Sequence, residues 1–420
     1  MDGKGAVKGV NIGGWLLLES YALHLDIVLS LELINRRWIT PSLFPTEDIV
    51  DEYTLGQKNP DAQSILQKHW DTFITEDDFK QIQQAGFNMV RIGIGYWAFK
   101  KFGNDSYISG AADYLDKAIS WAGSAGIQVI VDLHGAPGSQ NGFDNSGQYT
   151  LNASWTKNGN VHYTYEVIQI IASKYGNSPT VAAINLINEP FPEKLGYQEQ
   201  TTTVVVNYHT CGAKIVRGAS SPNTAVTISD AFVNAFKWND EYVQTGPGAN
   251  IIDHHDYQVF DFNLLVLDLD KHLDQVDLNI EASVANSTHP TIIGEWSGAL
   301  TDCAQYLNGR NEGARFDNKF SASPGANGTC PEGENSFDAF EKDDALKKNV
   351  TQYLQKQVDV FSAKTNGWFF WTWKTESAPA WDAQFLTKIG IFPKLDGSTG
   401  GNGTASNFTA SGATKLKRVL

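Results

Sequence analysis

The chain has 420 residues, a net charge of -15 and 12% aromatic residues, 12 of them Trp. That length can bury a large core, as one big domain or two of ordinary size, and no break in composition divides it. The acidic balance argues against nucleic acid and other polyanions, whose binding needs clustered Lys and Arg. The surplus of aromatic rings suits stacking on sugar faces as well as packing.

Short apolar runs alternate with amphipathic stretches along the chain. In order the runs are GVNIGGWL from Gly9, MVRIGIGY from Met89, QVIVDLH from Gln128, VAAINLINE from Val181, NTAVTISD from Asn223, IIDHHDY from Ile251, TIIGEW from Thr291 and GWFFWTW from Gly367. Each reads as a buried parallel strand. Between them, "ITEDDFKQIQQAGF" predicts a helix that Thr75 caps and Gly86 ends, and "ADYLDKAISWAGSAG" repeats the pattern. Eight alternations predict an α/β fold, a (β/α)8 TIM barrel with elaborated substrate-side loops. The open doubly wound alternative lacks a G-x-G-x-x-G fingerprint.

In such a barrel the site lies at the C-terminal ends of the strands. The run AAINLI ends in Asn188 and Glu189 and stops at Pro190; TIIG ends in Glu295. Two carboxylates facing across the mouth suit glycosidic cleavage, one protonating the leaving oxygen and the other attacking the anomeric carbon. Retention of configuration needs them about 5 to 5.5 Å apart. Singly, Glu189 reads equally well as a helix cap and Glu295 as an Arg partner. The other strand ends add Arg91, His134, His255, Tyr257, Trp371 and Trp373. Each alone suits a packing role, but packing would place apolar residues on that face. Metal-dependent hydrolysis at "DHHD", Asp253 to Asp256, is the chemical rival. Adjacent strand residues point to opposite faces, so His254 and His255 leave one usable His plus Tyr257. No metal or other cofactor is expected.

Cys303 and Cys330 flank a Gly- and Asn-rich segment and are placed to close one loop, whereas Cys211, in "YHTCGAKIVR", reads as a lone buried thiol. Sequons at Asn104, Asn152, Asn286, Asn327, Asn349, Asn402 and Asn407, together with that pairing, predict a secreted glycoprotein. The first residues hold no leader-like apolar run, so the expected leader is absent from this chain. No stretch reaches the roughly 18 apolar residues of a membrane span.

The segments "GVNIGGWLLLE", "NMVRIGIGYW", "DLHGAPGSQNGFDNSG", "NLINEPF", "HHDYQVF", "GEWSGALTDCAQYLNGRNEGARFD" and "GWFFWTWKTESAPAW" together resemble the fungal exo-β-1,3-glucanases of glycoside hydrolase family 5. The resemblance spans Gly9 to Pro393. It implies release of glucose from non-reducing ends of β-1,3-glucan by retaining double displacement, with Glu189 as acid/base and Glu295 as nucleophile. Asn188 would then bond the sugar 2-hydroxyl, and Arg91 and Tyr257 would keep Glu295 ionised. Burial and the charge of Glu295 would raise the pKa of Glu189. The same resemblance makes Glu19, His134, Asn145 and His255 ligands of the terminal glucose, Trp371 its stacking floor, and Phe143 and Phe260 an aromatic pair gripping the next sugar. β-1,3-Glucan and gluco-oligosaccharides are the expected partners, a covalent intermediate open to another sugar predicts transglycosylation, and nothing in the sequence asks for more than a monomer. Two other readings stay open: an endo-acting β-1,4- or β-1,6-glucanase, and a non-catalytic glucan-binding protein.

One departure from the family pattern stands beside Glu19, where "YALHLDIVLSLELINRR", residues 21–37, separates "WLLLE" from "WITPSLF". This apolar insert is expected to be translated intron sequence, with a lid or membrane-contact helix as the alternative. The expected organisation is a catalytic domain over 1–395 containing that insert, followed by a Gly/Ser/Thr-rich tail over 396–420.

Overall fold

Eight parallel strands close a barrel in chain order in a computed structural model. It describes residues 7–19, 41–44, 46, 48–197, 203–239, 250–309, 313–320 and 327–395; the insert at 21–37, the tail at 396–420 and the sequons Asn402 and Asn407 lie outside these. The strands are β1 Val7–Leu16, β2 Met89–Gly95, β3 Gln128–Gly135, β4 Val181–Asn185, β5 Ala225–Ser229, β6 Asn250–His255, β7 Thr291–Glu295 and β8 Gly367–Phe370. All eight expected runs are strands. The helix Glu76–Gln84 starts where expected, with the Asp78 carboxylate accepting from the Thr75 backbone N–H and hydroxyl, both at 2.9 Å, and Gly86 follows its end at φ 92°.

Strand periodicity positions the site. Val7, Met89, Ile130, Ile251, Ile292 and Phe369 form an apolar cluster separate from the larger core between strands and helices. Counting by two along a strand keeps to one face. From this plug the count runs Met89 to Arg91, Ile130 to Asp132 to His134, Ile251 to Asp253 to His255, and Phe369 to Trp371. An apolar base thus supports a buried ionic layer, with the predicted site residues above it.

Two strands, β4 and β8, end three or more residues before their runs do. After Asn185 the chain leaves the β4 ladder, with the Leu186 N–H donating to the Thr227 carbonyl at 3.1 Å and the Asn188 N–H crossing to that of Leu133 at 2.9 Å. Glu189 follows in left-handed backbone, φ 43°, a conformation costing of order 1 kcal/mol or more for a non-glycine residue. After Phe370 the Trp371–Thr372 peptide is cis, and the Thr372 hydroxyl joins the Gly13 N–H to the Asn11 carbonyl, each at 2.8 Å.

Cys303 and Cys330 are bridged across the loop that follows β7. Cys211 is not buried, contrary to expectation. The helix Thr203–Ala219 turns Val205, Tyr208, His209, Gly212, Ala213 and Val216 inward, and Cys211 falls on its other face.

Just beyond the disulfide, Glu334 is 1% exposed and accepts from the Thr301 hydroxyl at 3.1 Å. Burial, with Asp302 and Asp343 nearby, pushes its carboxyl up to about 7. The folded pKa exceeds the unfolded one, so this group's contribution is complete in acid and is lost as pH rises from about 4 to 7. Glu334→Gln, a permanently neutral stand-in, is therefore expected to stabilise the protein at pH 8 by up to about 3 kcal/mol and to change little at pH 4. Urea unfolding at the two pH values tests this, and an equal effect at both would refute it.

Candidate active site

Arg91 is the hub. Fully buried on β2, it donates through Nη1 to Glu295 Oε1 at 2.9 Å and Asn11 Oδ1 at 3.1 Å, and through Nη2 to Asn188 Oδ1 at 2.8 Å. Asp132 and Asp253 lie 3.3 Å from its Nη1 and Nε. Burial alone would weaken its charge, but Asp132, Asp253 and Glu295 outweigh that and keep the guanidinium protonated.

Each predicted carboxylate is held from more than one side. Glu295, at the end of β7, takes the Arg91 bond on Oε1 and the Tyr257 hydroxyl on Oε2 at 3.0 Å. Glu189 accepts from His255 Nδ1 at 2.7 Å on Oε1 and from Asn145 Nδ2 at 3.1 Å on Oε2. His255 Nδ1 also stands 3.5 Å from Glu295 Oε2. Glu189, His255 and Glu295 each present an atom within 4.8 Å of the others'. One oxygen of Glu189 and one of Glu295 therefore lie within 4.8 Å of each other.

This trio offers metal-ligand atom types. However, Glu295 already receives a guanidinium and a phenol, and Glu189 an imidazole and an amide. Each donor present stabilises the anions without a metal ion.

The protonation differs from expectation. Burial does push Glu189 up, but the hydrogen bond and charge of His255, aided by His134 and Asn145, bring it below the usual carboxylate range. Burial lifts Glu295 above that range, with Glu189 adding to the rise and His255 and Arg91 opposing it. The expectation that Glu295 would raise Glu189 overlooked His255, which is closer to Glu189 than to Glu295.

The predicted sugar ligands surround this centre. Asn188 lies between Arg91 and His134, its Nδ2 3.2 Å from His134 Nε2. His134 Nδ1 faces Asp132 Oδ2 at 2.6 Å, and its ring stacks on Trp371 at 5.7 Å. Trp371 closes over Gly13, where a Cβ would meet the indole at 2.6 Å. Glu19 is buried and pushed well above the usual range by desolvation, the charge of His134 opposing and those of Glu295 and Asp144 adding. Phe143 rests on Phe191 at 5.9 Å; Phe260, 44% exposed, meets Tyr257 edge-on at 5.4 Å. Trp373 does not join the site: it is buried, and its Nε1 donates to Asp78 at 3.0 Å.

Sequence reasoning missed Asp132 and weighed Asp253 only within the metal reading of "DHHD", although D-x-H occurs in both "DLH" and "DHH" and puts acid and imidazole on one strand face. It also missed Phe191 and Phe232, which continue the row from Phe143 with Phe191–Phe232 at 5.0 Å.

Comparison with known proteins adds the following. The profile of Cellulase (glycosyl hydrolase family 5) matches residues 56–319. "Probable glucan 1,3-beta-glucosidase" of Arthroderma benhamiae is 42% identical over 397 residues, covering 92% of this chain and 89% of that protein. "Glucan 1,3-beta-glucosidase" of Lachancea kluyveri is 40% identical over 411 residues, covering 92% and 86%. The solved structure of rutinosidase from Aspergillus niger superposes with a TM-score of 0.67 at 17% identity, over 93% of this chain and 98% of that one, a likeness of fold.

Proposed function

We propose, given that this chain belongs to glycosyl hydrolase family 5, that it is a retaining glucosidase removing glucose from the non-reducing ends of β-1,3-glucans and gluco-oligosaccharides. The approach of Glu189 and Glu295 to within 4.8 Å carries this reading. Its linkage preference rests on relatives of about 40% identity named for glucan 1,3-β-glucosidase.

The Glu295 carboxylate attacks C1 as the C1–O3 bond breaks, and the leaving oxygen takes the proton carried by the Glu189–His255 pair. The product of this step is a glucosyl ester on Glu295. Its negative charge is then gone, and Glu189 removes a proton from water as the water attacks C1. The ester breaks, Glu295 leaves as a carboxylate, and two inversions give net retention. A sugar hydroxyl in place of that water gives transglycosylation. Arg91 and Tyr257 hold Glu295 in line and accept its change of charge; Asn188, oriented by Arg91 and His134, bonds the 2-hydroxyl. Glu19, His134, Asn145 and His255 hold the terminal glucose over Trp371, and Phe143 and Phe260 grip the next.

The catalytic domain is read as 1–395, with the insert 21–37 beside Glu19 and a tail at 396–420. The protein is read as secreted, glycosylated and monomeric, without nucleic-acid partners; the disulfide supports an oxidising compartment. Among the described residues no helix is long and apolar enough to cross a membrane.

Proton NMR of a β-1,3-gluco-oligosaccharide digest tests the activity. Glucose is expected as the first product, initially as the β anomer. Mixed oligosaccharides would point to endo action and initial α-glucose to inversion. If there is no product, the same assay on a chain lacking Tyr21–Arg37 separates a blocked pocket from a wrong assignment.

A further inference from the structure

Beneath the two glutamates lie two carboxylates that do not face the substrate side. Asp132 is bonded at 2.6 Å to both His134 Nδ1 and Asn185 Nδ2. Asp253 differs: it is 1% exposed and among the described residues neither of its oxygens has a hydrogen-bond donor. Among the described residues its close cations are Arg91, with Nε at 3.3 Å, and His255, with Nε2 at 3.6 Å. Space has been left for it on the next strand, because a Cβ at Gly294 would meet Asp253 Oδ1 at 1.6 Å.

The charges in this layer must balance. Asp132, Asp253 and Glu295 are buried acids, Glu189 is a fourth whose side chain is only 13% exposed, and Arg91 supplies one positive charge. An unmatched buried charge costs several kcal/mol, so the imidazoles are the remaining source of compensation. His255 is placed to give it, with one nitrogen toward Asp253 and the other toward the catalytic pair.

We propose that Asp253 is a positioning residue that holds His255 as an imidazolium, so that the acid proton of the resting enzyme is stored on His255 Nδ1 and passes to Glu189 as the glucan binds. The transfer is a proton shift along the existing 2.7 Å bond: Nδ1–H breaks, Oε1–H forms, and the positive charge on His255 and the negative charge on Glu189 disappear together. This rests on the reading of Glu189 as the acid.

The groups facing His255 agree with that assignment. Glu295 from β7, Glu189 from beyond β4 and Asp253 from its own strand all favour the cation; His254, its neighbour, opposes it, while Arg91 and His134 lie across the glutamates. Burial would make His255 neutral, but Glu295, Asp253 and Glu189 together hold it well above the ordinary imidazole range.

Asp253→Asn tests the proposal. In the free wild-type protein, 15N-histidine NMR is expected to show His255 protonated on both nitrogens at pH 7. In the variant the midpoint should fall by at least about one pH unit. The alkaline limb of kcat/KM on a β-1,3-gluco-oligosaccharide should move down with it, giving about a tenfold loss above the limb and a much smaller loss at pH 5. A uniform loss at every pH with an unmoved His255 titration would reduce Asp253 to packing and overturn the idea. The wild-type titration needs no variant, so a His255 already neutral at pH 7 overturns it even if Asp253→Asn does not fold. The NMR arm needs no substrate: a His255 titration that follows Asp253 in a protein inactive on glucan would sink the glucosidase reading instead.

Discussion

Glu295→Gln is expected to abolish glucose release, with kcat falling on the order of 10⁴- to 10⁶-fold, while a gluco-oligosaccharide still binds. The amide keeps the size of the side chain and can still accept the Tyr257 or Arg91 bond. It has no anion to form the glucosyl ester. Ground-state sugar contacts come from other side chains, so binding should change far less than turnover. Calorimetric titration with a non-reducing-end oligosaccharide, beside turnover of the same variant, separates the two effects. Hydrolysis at even a tenth of the normal rate would remove Glu295 from the nucleophile role.

The strand register explains which parts of this arrangement were legible in the sequence. A parallel strand buried on both faces is written as an uninterrupted apolar run, and all eight runs became strands. A polar residue that ends or interrupts such a run stands out, so Glu189, Glu295, His134 and His255 at run ends and Arg91 inside β2 were visible. Asp132 and Asp253 were less so, because an acid two places before a histidine gains meaning only when the barrel closes around one arginine. The pairing of His255 with Glu189 joins residues 66 apart, and no local pattern encodes it. Burial pushes Glu189 up, and that pairing is what brings its carboxyl below the usual range. Cys211 was misread for a simpler reason: an apolar residue in an amphipathic helix was counted by type, whereas its place in the i, i+3, i+4 sequence decides its exposure. Trp373 likewise continued an apolar run, but it lies beyond the end of β8 and is buried with its indole N–H on Asp78.

Arg91→Met should show how far the fold depends on the site. Methionine fills the volume but leaves Asp132, Asp253 and Glu295 without their shared cation, and Asn11 and Asn188 without a donor. Breaking a buried ion pair by removing one partner costs about 3 to 5 kcal/mol, and here one residue serves three carboxylates. A loss at or above that range at pH 7 is expected, measured by urea unfolding. The sign of its pH dependence follows. In the parent protein burial raises Asp132, but Arg91 and His134 outweigh that and hold it below its ordinary value, so its stabilisation is present at neutral pH and fades in acid. Without Arg91 the carboxyls rise above their unfolded values, and protonation relieves the unmatched charge. The deficit of the variant should therefore be largest near neutral pH and shrink toward pH 4. A deficit that is constant across that range would mean that Arg91 contributes by packing and hydrogen bonding alone, and that the buried carboxylates are not the ions this barrel is built around.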